Sequence, residues 1–300
     1  MRFRICDLRF AIMRLKVGDA FSASLRLGGV MLLFVGGLLA QSDGSQQNKT
    51  GRGGTFAIRN ARIVTVTGAV IENGTVVIQN GKITAVGATA SVPAGAETID
   101  AKGLSVYPGM IDASTALGLA EIGQGANATM DVAETGTMNA NAKAILAVNP
   151  HSSHVNVTRV NGITTVLSVP SGGIIAGQGT IINLNGSTQA EMAVEPTAAL
   201  VINFPRIATF GGFGGGFGRQ TIDFNEAVKR RDDQLEELKK VLKNAENYAR
   251  ARDAYAKDKT LPYTETNLGL EALIPYIRRE SPIVFTAVRE RDIRGGIKFV

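Results

Sequence analysis

Y-P-G-M-I-D-A-S-T-A-L-G-L, residues 107–119, is the stretch on which the fold turns. Pro108 and Gly109 end a β-rich region, and Met110, Ile111 and Asp112 open a new strand, so the pair marks a domain junction. Upstream, from Phe56 to Val86, the runs F-A-I, R-I-V-T-V-T, T-V-V-I and I-T-A-V are separated by Glu72-Asn73-Gly74 and Asn80-Gly81. They predict an antiparallel β-meander with a tight Asn-Gly hairpin. Val92–Gly103 adds a loop and the short strand T-I-D.

Downstream the rhythm changes. Gly123–Asn141 is small, polar and non-periodic, which predicts a long loop over a sheet end. Val155–Asn161 predicts a short helix closed by Gly162. Ile163–Val169 and Ala198–Phe204 predict strands buried on both faces, Ile174–Leu184 two shorter ones, and Pro282–Val288 another buried strand. Asp223–Lys257 predicts a long amphipathic helix with Val228, Leu235, Leu238, Leu242, Ala245 and Tyr248 on one face. Leu268–Arg279 predicts a helix broken by Pro275, and a further helix starts at Arg289. A meander followed by strands alternating with helices or long connections is an α/β pattern, the second part being a parallel βα architecture. Four barrel-type strands, near residues 110, 165, 200 and 285, fall short of the roughly eight that close a (β/α) barrel. The sequence is therefore expected to be the front portion of a longer protein.

Apolar residues make up 44% and charged residues 19% of the 300, as in a globular chain with a substantial core. Of the formal net charge of +6, Arg2, Arg4, Arg9, Arg14, Lys16 and Arg26 against Asp7 and Asp19 place +4 in the first forty residues. The remaining +2 does not point to a nucleic-acid partner. Those forty residues read as a signal peptide, basic first and then apolar over Leu27–Ala40, with a membrane anchor as the alternative. The expected location is outside the cytoplasm, periplasmic or secreted, with no stable membrane span after cleavage. Cys6, the single cysteine, falls in that leader. Residues 41–54, rich in Ser, Gln, Asn and Gly, read as a flexible linker.

The runs I-R-N-A-R-I-V-T-V at 58–66, E-N-G-T-V-V-I-Q-N-G-K-I-T-A-V-G at 72–87, Y-P-G-M-I-D-A at 107–113 and N-G-I-T-T-V-L at 161–167 resemble the amidohydrolase superfamily. The likeness is to its imidazolonepropionase-like and dihydroorotase-like members. The resemblance implies a small N-terminal β-sandwich domain, residues 55–107, built in that family from both chain ends. It also implies a partial TIM-like (β/α) barrel over 108–300, and hydrolysis of carbon–nitrogen bonds assisted by one or two divalent metals. In that chemistry the ion lowers the pKa of bound water and polarises the substrate carbonyl. In the family a His-x-His pair follows the P-G-x-I-D-x segment, which corresponds here to Ser114 and Ala116. Ala116 has no ligand atom and the Ser114 hydroxyl is a poor one. Thr286 stands where a later histidine is common. The sequence itself supports no cofactor, and one zinc-like ion would need ligands beyond Val300.

His151 and His154, the only histidines, form an i, i+3 pair in N-P-H-S-S-H. They are weak metal candidates set against a plain solvated helix start. Ser171–Gly179, S-G-G-I-I-A-G-Q-G, resembles a Gly-Gly-x-x-x-Gly-Gln segment of an exported branch of the family. It is either a glycine-permitted turn or a pocket wall with Gln178 as donor or acceptor. Ser114, Gly173, Gln178 and Thr286 are the candidate substrate-pocket residues. Gly211–Gly218 matches no nucleotide fingerprint and reads as a flexible insertion or a lid. Two functions stay open. One is an amidohydrolase-like hydrolase of non-peptide or cyclic amides with a lost or reduced metal centre. The other is an inactive relative that binds a small molecule or serves as a partner subunit, as a homo-oligomer or beside a paralogue.

Overall fold

The computed structural model describes residues 53–122, 127–209 and 221–299. The leader expected over residues 1–40, the linker up to residue 52 and the Gly211–Gly218 segment lie outside the described residues. Among the described residues the fold is mixed α/β, with two five-stranded sheets that share no strand. Strand pairing passes from one sheet to the other between Val106 and Met110, around Pro108 and Gly109. No described helix is long and apolar enough to cross a membrane.

The first sheet comprises β1 (Thr55–Ile63), β2 (Ile71–Gln79), β3 (Lys82–Gly87), β4 (Glu97–Asp100) and β5 (Ser105–Val106). β1–β2 and β2–β3 are antiparallel, and Asn80 (φ 50°) and Gly81 (φ 74°) make the tight turn that an Asn-Gly pair favours. The meander ends there, because β4 and β5 both run parallel to β1 after crossing back along it. The Glu72-Asn73-Gly74 break expected from sequence is not a turn: these residues lie inside β2, and Gly74 pairs with Ala61. Ala61, Ile63, Val76 and Ala101 form the core of this part.

The second sheet has the order β10–β9–β8–β7–β6, from β6 (Met110–Thr115), β7 (Ile163–Ser168), β8 (Ile175–Asn183), β9 (Ala193–Asn203) and β10 (Ile283–Thr286). β6 and β7 are parallel, as are β9 and β10, and β8 is antiparallel to both of its neighbours. The two short strands expected over 174–184 are thus one nine-residue strand. Its register shifts at Gly177 and Gly179, where glycine bends the strand without ending it.

The helices are α1 (Ala144–Ala147), α2 (Ser153–Val160), α3 (Gln189–Met192), α4 (Phe224–Lys257), α5 (Leu268–Ile277) and α6 (Glu290–Phe299). Asp223 caps α4 by accepting from the N–H groups of Asn225 and Glu226. The expected break of α5 at Pro275 does not occur, and the helix runs on to Ile277. Leu119, Val148, Val155, Val166, Ile182 and Leu184 form one core over β7 and β8. Leu200, Ile202, Leu238, Ala245, Leu273 and Tyr276 form another, which seats α4 and α5 on β9. Leu238 and Leu273 are fully buried there, each stabilising the fold by about 2 kcal/mol.

Candidate functional site

Because β6, β7, β9 and β10 point the same way, their C-terminal ends share one rim of the sheet with the start of β8. Ligands of parallel βα sheets bind at this kind of rim. The rim is built in two contrasting ways.

Over β7 and β8 residues 116–122 and 127–143 are bonded down onto the sheet. Ser168 Oγ, on a fully buried residue, donates to the Leu117 carbonyl at 2.8 Å. The N–H groups of Ile174 and Ile175 both donate to the Thr137 carbonyl, at 2.7 and 3.0 Å. Gln178, 4% exposed, donates from Nε2 to Ala140 O at 2.8 Å and from its backbone N–H to Ala142 O at 2.8 Å. The glycines of S-G-G-I-I-A-G-Q-G make this contact sterically possible. A Cβ on Gly173 (φ +61°) would lie 2.9 Å from Thr137 O, and one on Gly177 (φ +136°) 2.9 Å from Ala142 O. Gln178 is therefore occupied in holding the segment.

Over β9 and β10 the rim opens into a cleft of about 520 Å³. Asn203, Phe204, Arg206, Thr286 and Asp292 line it, with Gly173 at the β8 side. Asn203 Nδ2 donates to the carbonyls of Gly172 and Gly173 at 3.2 and 3.1 Å, tying the end of β9 to the loop before β8. Phe204, Phe285 and Phe299 meet edge to face with ring centroids 6.1–6.2 Å apart, which anchors α6 on the ends of β9 and β10. Gly295 admits the helix to that packing, since a Cβ there would sit 3.0 Å from the Phe204 ring. One turn earlier, Asp292 is 4% exposed and faces the cleft.

The structure thus brings Gly173 and Thr286 to one cleft and leaves Gln178 behind the wall. Ser114 is exposed on β6, its N–H donating to Asp112 Oδ1 at 3.1 Å, and Ala116 is exposed just past that strand. β6 and β10 are opposite edges of the sheet, so Ser114 and Thr286 do not converge. His151 and His154 do not share a helix face, because Ser152 is the N-cap of α2 and His151 precedes it. His154 Nε2 bonds to the Glu121 carbonyl at 2.8 Å, and the Glu121 carboxylate accepts from Ser152 Oγ at 2.9 Å and Asn149 Nδ2 at 3.1 Å. Asn203, Arg206 and Asp292 were not singled out in the sequence. The Asp292 signal was there to find, as the one charge in a stripe of 292, 295, 296 and 299 that otherwise reads Gly, Gly, Phe.

No protein-family model matches the chain. An imidazolonepropionase from Mesorhizobium japonicum is 40% identical over 76 residues, 22% of this chain and 19% of that protein. An amidohydrolase from Thermotoga maritima MSB8 has a similar fold, with a TM-score of 0.68 at 24% identity over 81% of this chain and 61% of its own. The chain is similar to an imidazolonepropionase in sequence over that stretch and to an amidohydrolase in fold. It spans less than two thirds of either amidohydrolase relative.

At the positions where the superfamily resemblance implies metal-binding histidines, the donor set does not fit a metal. Ala116 offers no lone pair, and the hydroxyls of Ser114 and Thr286 are uncharged, exposed and on opposite sheet edges. Among the described residues no three His, Cys, Asp or Glu side chains converge as a metal site.

Proposed function

We propose that this protein is an amidohydrolase-like hydrolase of carbon–nitrogen bonds in cyclic or other non-peptide amides, with a reduced metal centre. The observation that carries this reading is the 40% identity to an imidazolonepropionase over 76 residues, joined to an amidohydrolase fold. In this reading the second sheet belongs to a TIM-like barrel, the first to a β-sandwich domain, and the protein works after export. The substrate sits in the cleft at the ends of β9 and β10. Arg206 and the Thr286 hydroxyl offer donors to a substrate carbonyl there, and donors aimed at developing negative charge are a large source of amide-hydrolysing power.

A second reading, a catalytically inactive small-molecule binder or partner subunit, is favoured by one observation: Ser114, Ala116 and Thr286 stand where metal-binding histidines are implied. Assays of the full-length protein against a panel of cyclic and non-peptide amides, with and without added zinc, separate the two. The hydrolase reading expects turnover, accompanied by a divalent ion that survives dialysis. A protein that stays metal-free and turns over no amide with zinc present overturns it in favour of the second.

A further inference from the structure

Asp292 is the group in the described residues whose burial the fold least explains. It is 4% exposed and lines the cleft, yet its carboxylate has no hydrogen bond or ion pair among the described residues. Nor are its oxygens sealed away, because the one sealed, unbonded side-chain polar atom among the described residues is Arg231 Nε. The nearby cations do not neutralise it. Arg289 donates to the Ile207 carbonyl at 3.2 Å, Arg294 pairs with Glu290, and Arg291 and Arg206 are exposed and make no ion pair with it. A buried carboxylate left unpaired by its own fold is costly, and such groups concentrate where a ligand completes them.

Its placement is rigid. Asp292, Gly295, Gly296 and Phe299 lie on one face of α6, and that face is locked by the Phe204–Phe285–Phe299 cluster. Asp292 also lies in the first turn of α6, where the helix dipole favours a carboxylate but supplies no bonded partner. A metal ion is a poor fit, since one carboxylate supplies too few hard ligands.

We propose that the cleft receives a ligand carrying an organic cation, a guanidinium or alkylammonium group, with Asp292 as its counter-ion. A guanidinium matches a lone carboxylate through two parallel hydrogen bonds. The proposal rests on this cleft being the ligand site. In the hydrolase reading, it makes the substrate class an amide bearing a basic group. Titration calorimetry of the full chain at low salt, with argininamide and its neutral isostere citrullinamide, tests it. Argininamide is expected to bind at least about ten-fold more tightly than citrullinamide. Asp292→Asn is expected to erase that preference, and Asp292→Glu to retain part of it. Equal affinity for the two amides, no binding of either, or a preference that survives Asp292→Asn overturns the proposal. Should Asp292→Asn fail to fold, the wild-type comparison and Asp292→Glu still decide. Turnover is not read here, so cation-selective binding without hydrolysis keeps the subsite and sinks the hydrolase. Hydrolysis of neutral amides without cation selectivity does the reverse.

Discussion

Over β7 and β8, Gln178 is a buried polar residue whose hydrogen bonds hold the crossing segment at Ala140 and Ala142, and glycines bring the two backbones together. Over β9 and β10, on the same rim, the Asp292 carboxylate is just as buried and has no partner among the described residues. The difference separates two meanings of a buried polar residue. Where the fold supplies the partner, the residue is structural and its loss costs stability. Where the fold withholds the partner, the residue is poised for something outside the chain, and its loss costs binding instead.

Substitutions on each side test that contrast, beginning with the largest effect. Gly177→Ala forces a side chain into φ +136° and against Ala142 O, so a loss of about 3 kcal/mol is expected in urea unfolding. A loss below about 1 kcal/mol would mean that the backbone around Ala142 gives way easily and is not locked. Gln178→Met keeps the volume but strands the Ala140 carbonyl, for an expected loss of about 2 kcal/mol with the affinity of the cleft unchanged. A change in ligand affinity without a stability loss would return Gln178 to the pocket.

A pH scan adresses the core beneath the cleft. Burial, with Glu195 nearby adding to it, pushes the Tyr276 phenol from 10.0 up to about 12. The unfolded chain gives up this proton first, so the Tyr276 contribution is complete below about pH 10 and is lost as the pH climbs towards 12. Tyr276→Phe should flatten the alkaline decline in stability over that window; an unchanged slope would assign the decline elsewhere. The smallest effect carries the opposite sign. Asp292→Asn is expected to leave stability unchanged or to raise it by up to about 1 kcal/mol, because a desolvated charge without a partner disappears. A clear destabilisation in the same urea measurement would show that Asp292 has a structural partner and would erase the contrast with Gln178.

Much of the frame was legible before the structure. The strands near residues 110, 165, 200 and 285, the Asn80-Gly81 hairpin and the long helix ending at Lys257 all follow from local pattern. Hydrophobic period and turn chemistry report on neighbours a few residues away, and these elements need nothing more. Three readings failed because they needed partners far along the chain. Ile174–Leu184 was expected as two strands because glycines usually punctuate, whereas pairing on both sides carries β8 through its irregularities. The Glu72-Asn73-Gly74 turn and the Pro275 break were overridden in the same way, one by pairing with β1 and the other by packing against α4. In the site, Gly173 and Thr286 were named without any means of knowing that they share a cleft, and Gln178 was named for a role the crossing segment already takes.

Residues 107–119, taken alone, determined where one sheet ends and the next begins, since Pro108-Gly109 followed by an apolar run is a local statement about backbone freedom. They also determined that no imidazole stands at Ser114 or Ala116, whatever surrounds them. Only the tertiary structure decided that Gln178 is spoken for and Asp292 is not. Both are single polar residues whose surroundings in the sequence do not tell them apart. Whether a buried polar atom finds its partner depends on segments tens of residues away, and local pattern carries no record of that distance.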